Sequence, residues 1–267
     1  MRMNYIHRGD NLRFMRSLEE SKIDLIYIDP PFFTQKTQKA VSSGKNIYYH
    51  DSWKSTNSYL HFLVARVRRC HRLLKDTGVF CLHLNWRSSH IMKLWCDKIF
   101  GGDNFINEIV FSYNGGGYSK RAYPRKHDNI LIFSKSDKYS FSIEYKDYRK
   151  NVQEVNRGNF GDSLRTVNLE RGTPVTDVWS DIRTVVGWSP EEEGYPTQKP
   201  IPLLKRLIKS FSNKGDIVAD FFCGSGTTLV AAKQLGRNFI GCDISKDAIS
   251  ISNKRLSKVL YFDKESV

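Results

Sequence analysis

An α/β fold with a doubly wound, mostly parallel sheet and one small insertion follows from three features of the sequence. Short apolar runs bounded by turn residues recur along the chain, helical patterns lie between them, and the runs are continuous rather than alternating in polarity. Strands covered by helices on both faces read this way.

The elements follow in chain order. Met3 to His7 supplies a first strand ahead of Gly9-Asp10, and IDLIYID, ending at Asp29, a second. Residues 34–57 form an irregular stretch too long for an ordinary connection, expected to be a functional or disordered loop. Ser58 to Lys75 sets Leu60, Leu63, Val64, Val67, Leu73 and Leu74 near helical spacing and stops before Gly78. VFCLHLN from Val79, EIVFSYN from Glu108 and NILIFSK from Asn129 are strands rich in β-branched and aromatic residues. Residues 140–195 break the rhythm, being rich in Asn, Gly, Asp, Arg and Tyr, and read as an insertion between the two halves of the sheet. A helix over Pro202–Phe211, the strand DIVADFF from Asp216, a helix over Thr227–Leu235 that ends at Gly236, the strand NFIGCDI from Asn238 and a helix over Ser245–Leu260 complete the chain.

At 267 residues the chain suits one large α/β domain with a modest insertion. No stretch approaches the roughly 20 apolar residues of a membrane span, and the N-terminus lacks the apolar core of a signal peptide. Five cysteines, an odd number without C-x-x-C spacing, disfavour a disulfide framework and a zinc site; reduced thiols and no bound metal fit a cytoplasmic location. The net charge of +14 raises the expectation of a polyanionic partner.

Two segments carry chemistry. Asp220-Phe221-Phe222-Cys223-Gly224-Ser225-Gly226-Thr227-Thr228 joins a strand end to a helix start. Glycines there admit positive φ and close approach of a ligand to the backbone, although tight turns of this kind also use glycine for packing alone. Asp243 ends the next strand about 20 residues on, where an acid in a Rossmann-like unit binds ribose hydroxyls; the alternative is a helix N-cap. A phosphate-binding G-x-x-x-x-G-K-[ST] is missing, so a ribose-bearing ligand with little or no phosphate fits better. The second segment is Asp29-Pro30-Pro31-Phe32, at the carboxyl end of a strand. Two prolines make a rigid exit that holds the Asp29 carboxylate and the Pro30 carbonyl side by side as acceptors for an NH2 group, and Phe32 adds a stacking face. Alone, the tetrapeptide could equally be a strand stop.

Together these segments resemble the amino-group DNA methyltransferases, in the subclass whose catalytic D-P-P-[YF] precedes the F-x-G-x-G-T cofactor motif. Asp29-Pro30-Pro31-Phe32 matches the first and Phe222-Cys223-Gly224-Ser225-Gly226-Thr227 the second; Pro196-Thr197-Gln198-Lys199-Pro200 reproduces the family's P-T-Q-K-P run, and Gly9-Asp10 its short G-D motif. Two positions depart from the pattern: Tyr195 stands where His is common and Phe221 where Pro often follows the strand Asp. The resemblance implies a Rossmann-like, circularly permuted methyltransferase fold, discontinuous over 1–139 and 196–267. It places a target recognition insertion at 140–195 and an antiparallel strand near Glu108 to Lys135.

It also implies S-adenosylmethionine as cofactor, with the loop from Phe222 to Thr227 at the methionine portion, Asp220 among the cofactor-binding residues, Asp243 on the ribose, Asp10 near the adenine, and Thr197 and Lys199 on the methionine carboxylate. Lys199 has a rival reading as a DNA phosphate contact or a solvated charge. The substrate implied is a flipped base in double-stranded DNA, with Asp29 and Pro30 holding its amine. Asp in the first position of the tetrapeptide goes mostly with adenine N6 and Ser with cytosine N4, so adenine is favoured and cytosine N4 is the alternative. An RNA or protein amino-methyltransferase, a catalytically idle DNA-binding relative and a hydride-transferring enzyme are weaker rivals. A homodimer and a cognate restriction endonuclease are compatible with the family.

The charge is unevenly spread. Residues 34–75 hold nine Lys and Arg against one acid, whereas 140–195 hold seven against ten. Phosphate contacts are therefore expected from the loop at 34–57, a flexible DNA-contacting element, and its neighbours, with Lys36, Lys39, Lys45, Lys54, Lys120, Arg121, Arg125 and Lys126 as candidates. Arg66, Arg68, Arg69 and Arg72 equally fit a solvated helix face.

Overall fold

The structure is a computed structural model that describes residues 1–42, 45–113, 120–146 and 172–259. It contains strands β1 (Tyr5–Arg8), β2 (Ile23–Ile28), β3 (Lys36–Ser42), β4 (Lys45–Asp51), β5 (Leu74–Leu84), β6 (Phe105–Ser112), β7 (His127–Ser134), β8 (Tyr145–Lys146), β9 (Thr173–Pro174), β10 (Val178–Trp179), β11 (Ile217–Asp220) and β12 (Asn238–Asp243). The helices are α1 (Asn11–Ser17), α2 (Thr56–Leu73), α3 (Ser89–Phe100), α4 (Ile201–Phe211), α5 (Thr227–Gln234) and α6 (Lys246–Lys258).

Eight strands form one sheet in the order β1-β12-β11-β2-β5-β7-β6-β10. β1, β12, β11, β2 and β5 run parallel, β7 is antiparallel to both of its neighbours, and β10 pairs parallel to β6. The antiparallel pairing falls within Glu108 to Lys135, as expected. Residues of β2 alternate between two cores. Ile26 and Ile28 face a layer with Phe14, Leu63, Val67 and Met92 from α1, α2 and α3, while Leu25 and Tyr27 face Leu204, Leu207, Leu229 and Leu256 from α4, α5 and α6. Burial on both faces is why β2 reads as an unbroken apolar run. Parallel order also gathers the carboxyl ends of β1, β12, β11 and β2 on one edge, where ligands sit in open α/β sheets.

Three expectations change. Most of 34–57 is ordered as an antiparallel hairpin of β3 and β4, pairing Lys36 with Asp51 at its base; Val41, Ile47, Tyr48 and Tyr49 favour extended backbone despite the polar composition. Residues 172–195, within the stretch expected as an insertion, attach to the main sheet. β10 extends the main sheet, and Trp179 and Ile182 are buried in its core; isolated anchors of this kind leave no periodic signal. Residues 147–171 lie outside the described residues. The arginines of α2 form a solvated face only in part: Arg68 and Arg72 are exposed, whereas Arg66 and Arg69 turn inward. Arg66 is buried on Asp10, Arg69 donates to the carbonyls of Met15 and Leu18, and Arg69 and Arg72 pair with Glu20. They close the end of α1, whose last carbonyls lack helical partners. Among the described residues no helix is long and apolar enough to cross a membrane.

Candidate active site

The carboxyl-edge loops enclose a cavity of ≈ 430 Å³, within the range of small-molecule sites. Asp29-Pro30-Pro31-Phe32, Thr197 to Lys199, Phe222 to Ser225 and Asp243 all line it, so four separate stretches of the sequence meet in one place. Gly226 stands behind the lining.

Asp29 leaves β2 with its two oxygens in different circumstances. Oδ2 accepts from Lys199 Nζ at 2.5 Å, with both side chains mostly buried, and Oδ1 is buried with no hydrogen-bond partner among the described residues. Lys199 Nζ also lies 4.9 Å from the centroid of the Phe32 ring. A carboxylate with one oxygen clamped by a cation and the other buried without a donor retains the capacity to accept a further hydrogen bond. Lys199 is thus brought to Asp29, an arrangement that the sequence comparison with the family did not anticipate. Its delivery is structural. Gln198 is held by the Glu191 carbonyl and the Glu193 amide, the Glu191 carboxylate caps the first amide of α4 at Ile201, and exposed Thr197 takes φ +62°, unusual for a β-branched residue.

The exit of the tetrapeptide is clamped by Asp51, which is 1 % exposed at the end of β4. Its carboxylate accepts from the amides of Phe32, Phe33 and Thr34, from Thr34 Oγ1 and from Trp53 Nε1, at 2.7–3.1 Å. Phe33 and Gln35 have positive φ (58° and 57°), conformations that persist only when the surroundings over-determine them. Tyr59 Oη donates to the Pro31 carbonyl. Beneath Phe32, buried His83 bridges Tyr27 Oη (2.8 Å) and Asp128 (3.3 Å). None of Asp51, Tyr59 and His83 was singled out by motif. Asp51 left one trace, as the sole acid among the nine cations of 34–75.

The glycine loop is shaped from both sides. Gly224 has φ +48°, and a Cβ there would meet the Tyr195 ring at 3.0 Å; Gly226 has φ +77°, and a Cβ would meet Ser252 Oγ at 2.6 Å. Ser252 donates to the Gly224 carbonyl, and buried Arg255 donates to Ser225 O, Ser225 Oγ and Thr227 Oγ1. Gly224, Ser225 and Thr227 therefore accept hydrogen bonds from Ser252 and Arg255 of α6, three residues apart on one helical face. Cys223 is buried. Asp243 Oδ2 accepts from the Gly224 amide and Oδ1 from the Ser245 amide, each at 2.9 Å, while the N-cap of α6 is Ser245 itself. Burial raises the pKa of Asp243. Its remaining lone pairs stay available to hydroxyl donors. Asp10 caps α1 through Arg13 N and pairs with Arg66 at 3.0 Å, half exposed at the cavity wall.

Asp220 lies beneath the loop, 2 % exposed, accepting from Phe222 N and from Thr228 Oγ1. Burial outweighs these donors and pushes its pKa up to about 7. A carboxyl that binds its proton more tightly when folded contributes most to stability below about pH 4, and the contribution falls as pH rises to about 7. Relative to an Asp220→Asn variant, the wild type is expected to lose up to roughly 4 kcal/mol over that window. Denaturant melts of both proteins at several pH values check this; parallel curves would refute it.

A model of the DNA methylase family matches residues 23–254, most of the chain. The chain belongs to the DNA methylase family. The methylase is 33% identical over 247 residues to the Type II methyltransferase M.HpaI of Haemophilus parainfluenzae, covering 92% of this chain and 71% of that one. It is 31% identical over 278 residues to the DNA adenine methyltransferase YhdJ of Escherichia coli K12, covering 98% and 85%. In fold it is similar to the M1.HpyAVI–SAM complex (TM-score 0.61, 21% identity, 94% and 98% covered) and to the cytosine-N4-specific PvuII DNA methyltransferase (TM-score 0.65, 15% identity, 98% and 87% covered).

In this methylase the cationic candidates lie on and beside two segments, the β3–β4 hairpin and the approach to β7. Lys36 and Lys39 lie on β3 and are exposed, Lys45 begins β4, and Lys54 follows the hairpin, exposed. The hairpin springs from Asp51, so these charges are tied to the exit of the tetrapeptide. Lys120, Arg121 and Arg125 are exposed and Lys126 half-buried in the approach to β7.

Proposed function

We propose that this methylase transfers a methyl group from S-adenosylmethionine to adenine N6 of a base flipped out of double-stranded DNA. The observation that carries the reading is the Asp29 carboxylate, with Oδ1 buried and unpartnered in the cavity it shares with the glycine loop and Asp243. The cavity fits the cofactor: side-chain-free backbone at Gly224, an acid with spare lone pairs at Asp243 and an acid at Asp10 line one wall. When bound, S-adenosylmethionine supplies an electrophilic methyl on a sulfonium.

The chain's own residues do the rest. Asp29 Oδ1 and the Pro30 carbonyl accept the two N–H groups of the amine, which lets its nitrogen pyramidalise and aim a lone pair. Phe32 stacks the base, and the two prolines keep both acceptors in register. Lys199 holds Oδ2, so Asp29 presents its other oxygen, Oδ1, to the amine. Asp51 keeps the tetrapeptide loop in its strained path; replacing it with Ala is expected to lower kcat about 10²-fold, because small misplacements of reacting groups cost that much. An Asp51→Ala enzyme as fast as the wild type in an initial-rate methylation assay would remove it from this role.

Asp in the first position of the tetrapeptide favours adenine over cytosine N4, as does the printed name of the Escherichia coli relative. Incubation of unmethylated duplex DNA with labelled cofactor, followed by nucleoside analysis, tests the proposal. N6-methyl-2′-deoxyadenosine is expected, N4-methyl-2′-deoxycytidine as sole product would overturn the base assignment, and methylation of RNA or peptide but not of duplex DNA in parallel incubations would overturn the substrate.

The catalytic unit in this reading spans 1–139 and 196–267, circularly permuted because the catalytic strand precedes the cofactor strand, with the recognition segment inside 140–195. Lys36, Lys39 and Lys45 grip phosphates. Neutralising all three is expected to weaken DNA binding and to flatten the slope of log affinity against log salt by roughly 3, at about 0.9 per contact. An unchanged slope would take the hairpin out of DNA binding. Cytoplasmic location, a homodimer and a cognate endonuclease belong to the same reading.

A further inference from the structure

Beyond the cavity, one exposed cluster combines an indole with two guanidiniums. Arg125 Cζ lies 4.0 Å and Arg87 Cζ 4.5 Å from the centroid of the Trp86 ring, and Trp86 is 39 % exposed. Among the described residues no carboxylate pairs with Arg87 or Arg125, whereas Arg66, Arg69 and Arg72 of α2 are tied to Asp10 and Glu20. Two like charges gathered on one aromatic ring repel one another unless an anion joins them.

The cluster is built on a fixed turn. Asn85 is buried, its Oδ1 accepts from Arg87 N at 3.0 Å, and its carbonyl accepts from the amides of Ser88 and Ser89, both themselves buried. Trp86 and Arg87 are thereby held outward at the end of β5. Register locates the turn: Ile28 pairs with Leu82, so His83 neighbours Asp29 and Trp86 follows three residues later, at most about 10 Å of chain away. Arg125 arrives from the other side, ahead of β7, whose Asn129 pairs with Leu84.

We propose that Trp86, Arg87 and Arg125 form a nucleotide-binding patch on the rim of the active site, taking a nucleotide that flanks the target base. A nucleobase stacks on indole and guanidinium planes, and its phosphate bridges the two cations, which matches one π face and one negative charge to the chemistry present. The inference rests on the methylase reading above and adds residues that no motif marked.

Equilibrium binding to a short unmethylated plasmid-derived duplex, titrated over salt, tests it. Trp86→Ala is expected to weaken binding about tenfold with the salt slope unchanged, Trp86→Phe to retain most of the affinity, and the double variant Arg87→Ala, Arg125→Ala to reduce the slope by about 1, as for one phosphate, while cofactor affinity stays at the wild-type value in each. Binding of Trp86→Ala as tight as that of the wild type would overturn the patch, and so would preferential binding of single-stranded RNA through the same residues. Failure of the wild-type protein to bind or methylate duplex DNA would instead overturn the methylase reading.

Discussion

Replacing Asp29 with Ala is expected to reduce methyl transfer by roughly 10³-fold or more, while cofactor affinity changes little. Removing one preorganised group that serves developing charge typically costs 10²–10³ in rate, and Asp29 supplies both a charge and an acceptor. The variant also leaves Lys199 without its partner at 2.5 Å. A freed ammonium in the cofactor cavity attracts a carboxylate, so S-adenosylmethionine is expected to bind as well as before or slightly better. Asp29→Asn separates the two contributions, since it keeps an acceptor oxygen and loses the charge. Single-turnover transfer of labelled methyl, with cofactor binding measured by calorimetry, reads both. Turnover close to the wild-type rate by Asp29→Ala would sink the assignment of the site.

The second large effect is expected at Lys199, where the geometry and the family resemblance point in different directions. If the ammonium serves to clamp Asp29 Oδ2, Lys199→Met lowers kcat about 10²-fold and leaves the KM for cofactor nearly unchanged, because the contact matters to the reacting amine. Lys199→Arg keeps a cation within reach and recovers part of the rate. If the ammonium serves the methionine carboxylate, the same substitution raises the KM for cofactor and spares kcat. The 2.5 Å contact and the proximity to Phe32 favour the first outcome. A rise in KM alone would return Lys199 to the cofactor.

Much of the fold was legible because its strands are buried on both faces and so announce themselves as apolar runs: β2, β5, β6, β7, β11 and β12 all lie where those runs are. Helices with one apolar stripe were legible for the same reason. Thus α2 begins two residues earlier than its apolar spacing indicates, at a capping box of Ser55 and Ser58. What escaped lacked a period. α3 is apolar most of the way round, leaving Ile91 and Leu94 exposed beside buried Met92 and Cys96, and α1 is only seven residues long. The hairpin of β3 and β4 has a polar composition, and β10 is two residues anchored by Trp179.

Within the candidate site, the sequence by itself determined the chemical inventory. The tetrapeptide at Asp29, the glycine loop at Phe222 to Thr227, Asp243 and the P-T-Q-K-P run were visible as local strings, because rigid turns and positive φ demand particular residues at particular spacings. The tertiary structure alone decided how that inventory is wired. It sets Lys199 on Asp29 across 170 residues, closes the tetrapeptide loop on Asp51, backs the glycines with Ser252 and Arg255, and turns Arg66 inward. Pairings of this kind depend on which strands lie side by side and on which ends of the sheet come together, and a carboxylate or a cation carries no mark in its own neighbourhood of the distant partner it will meet.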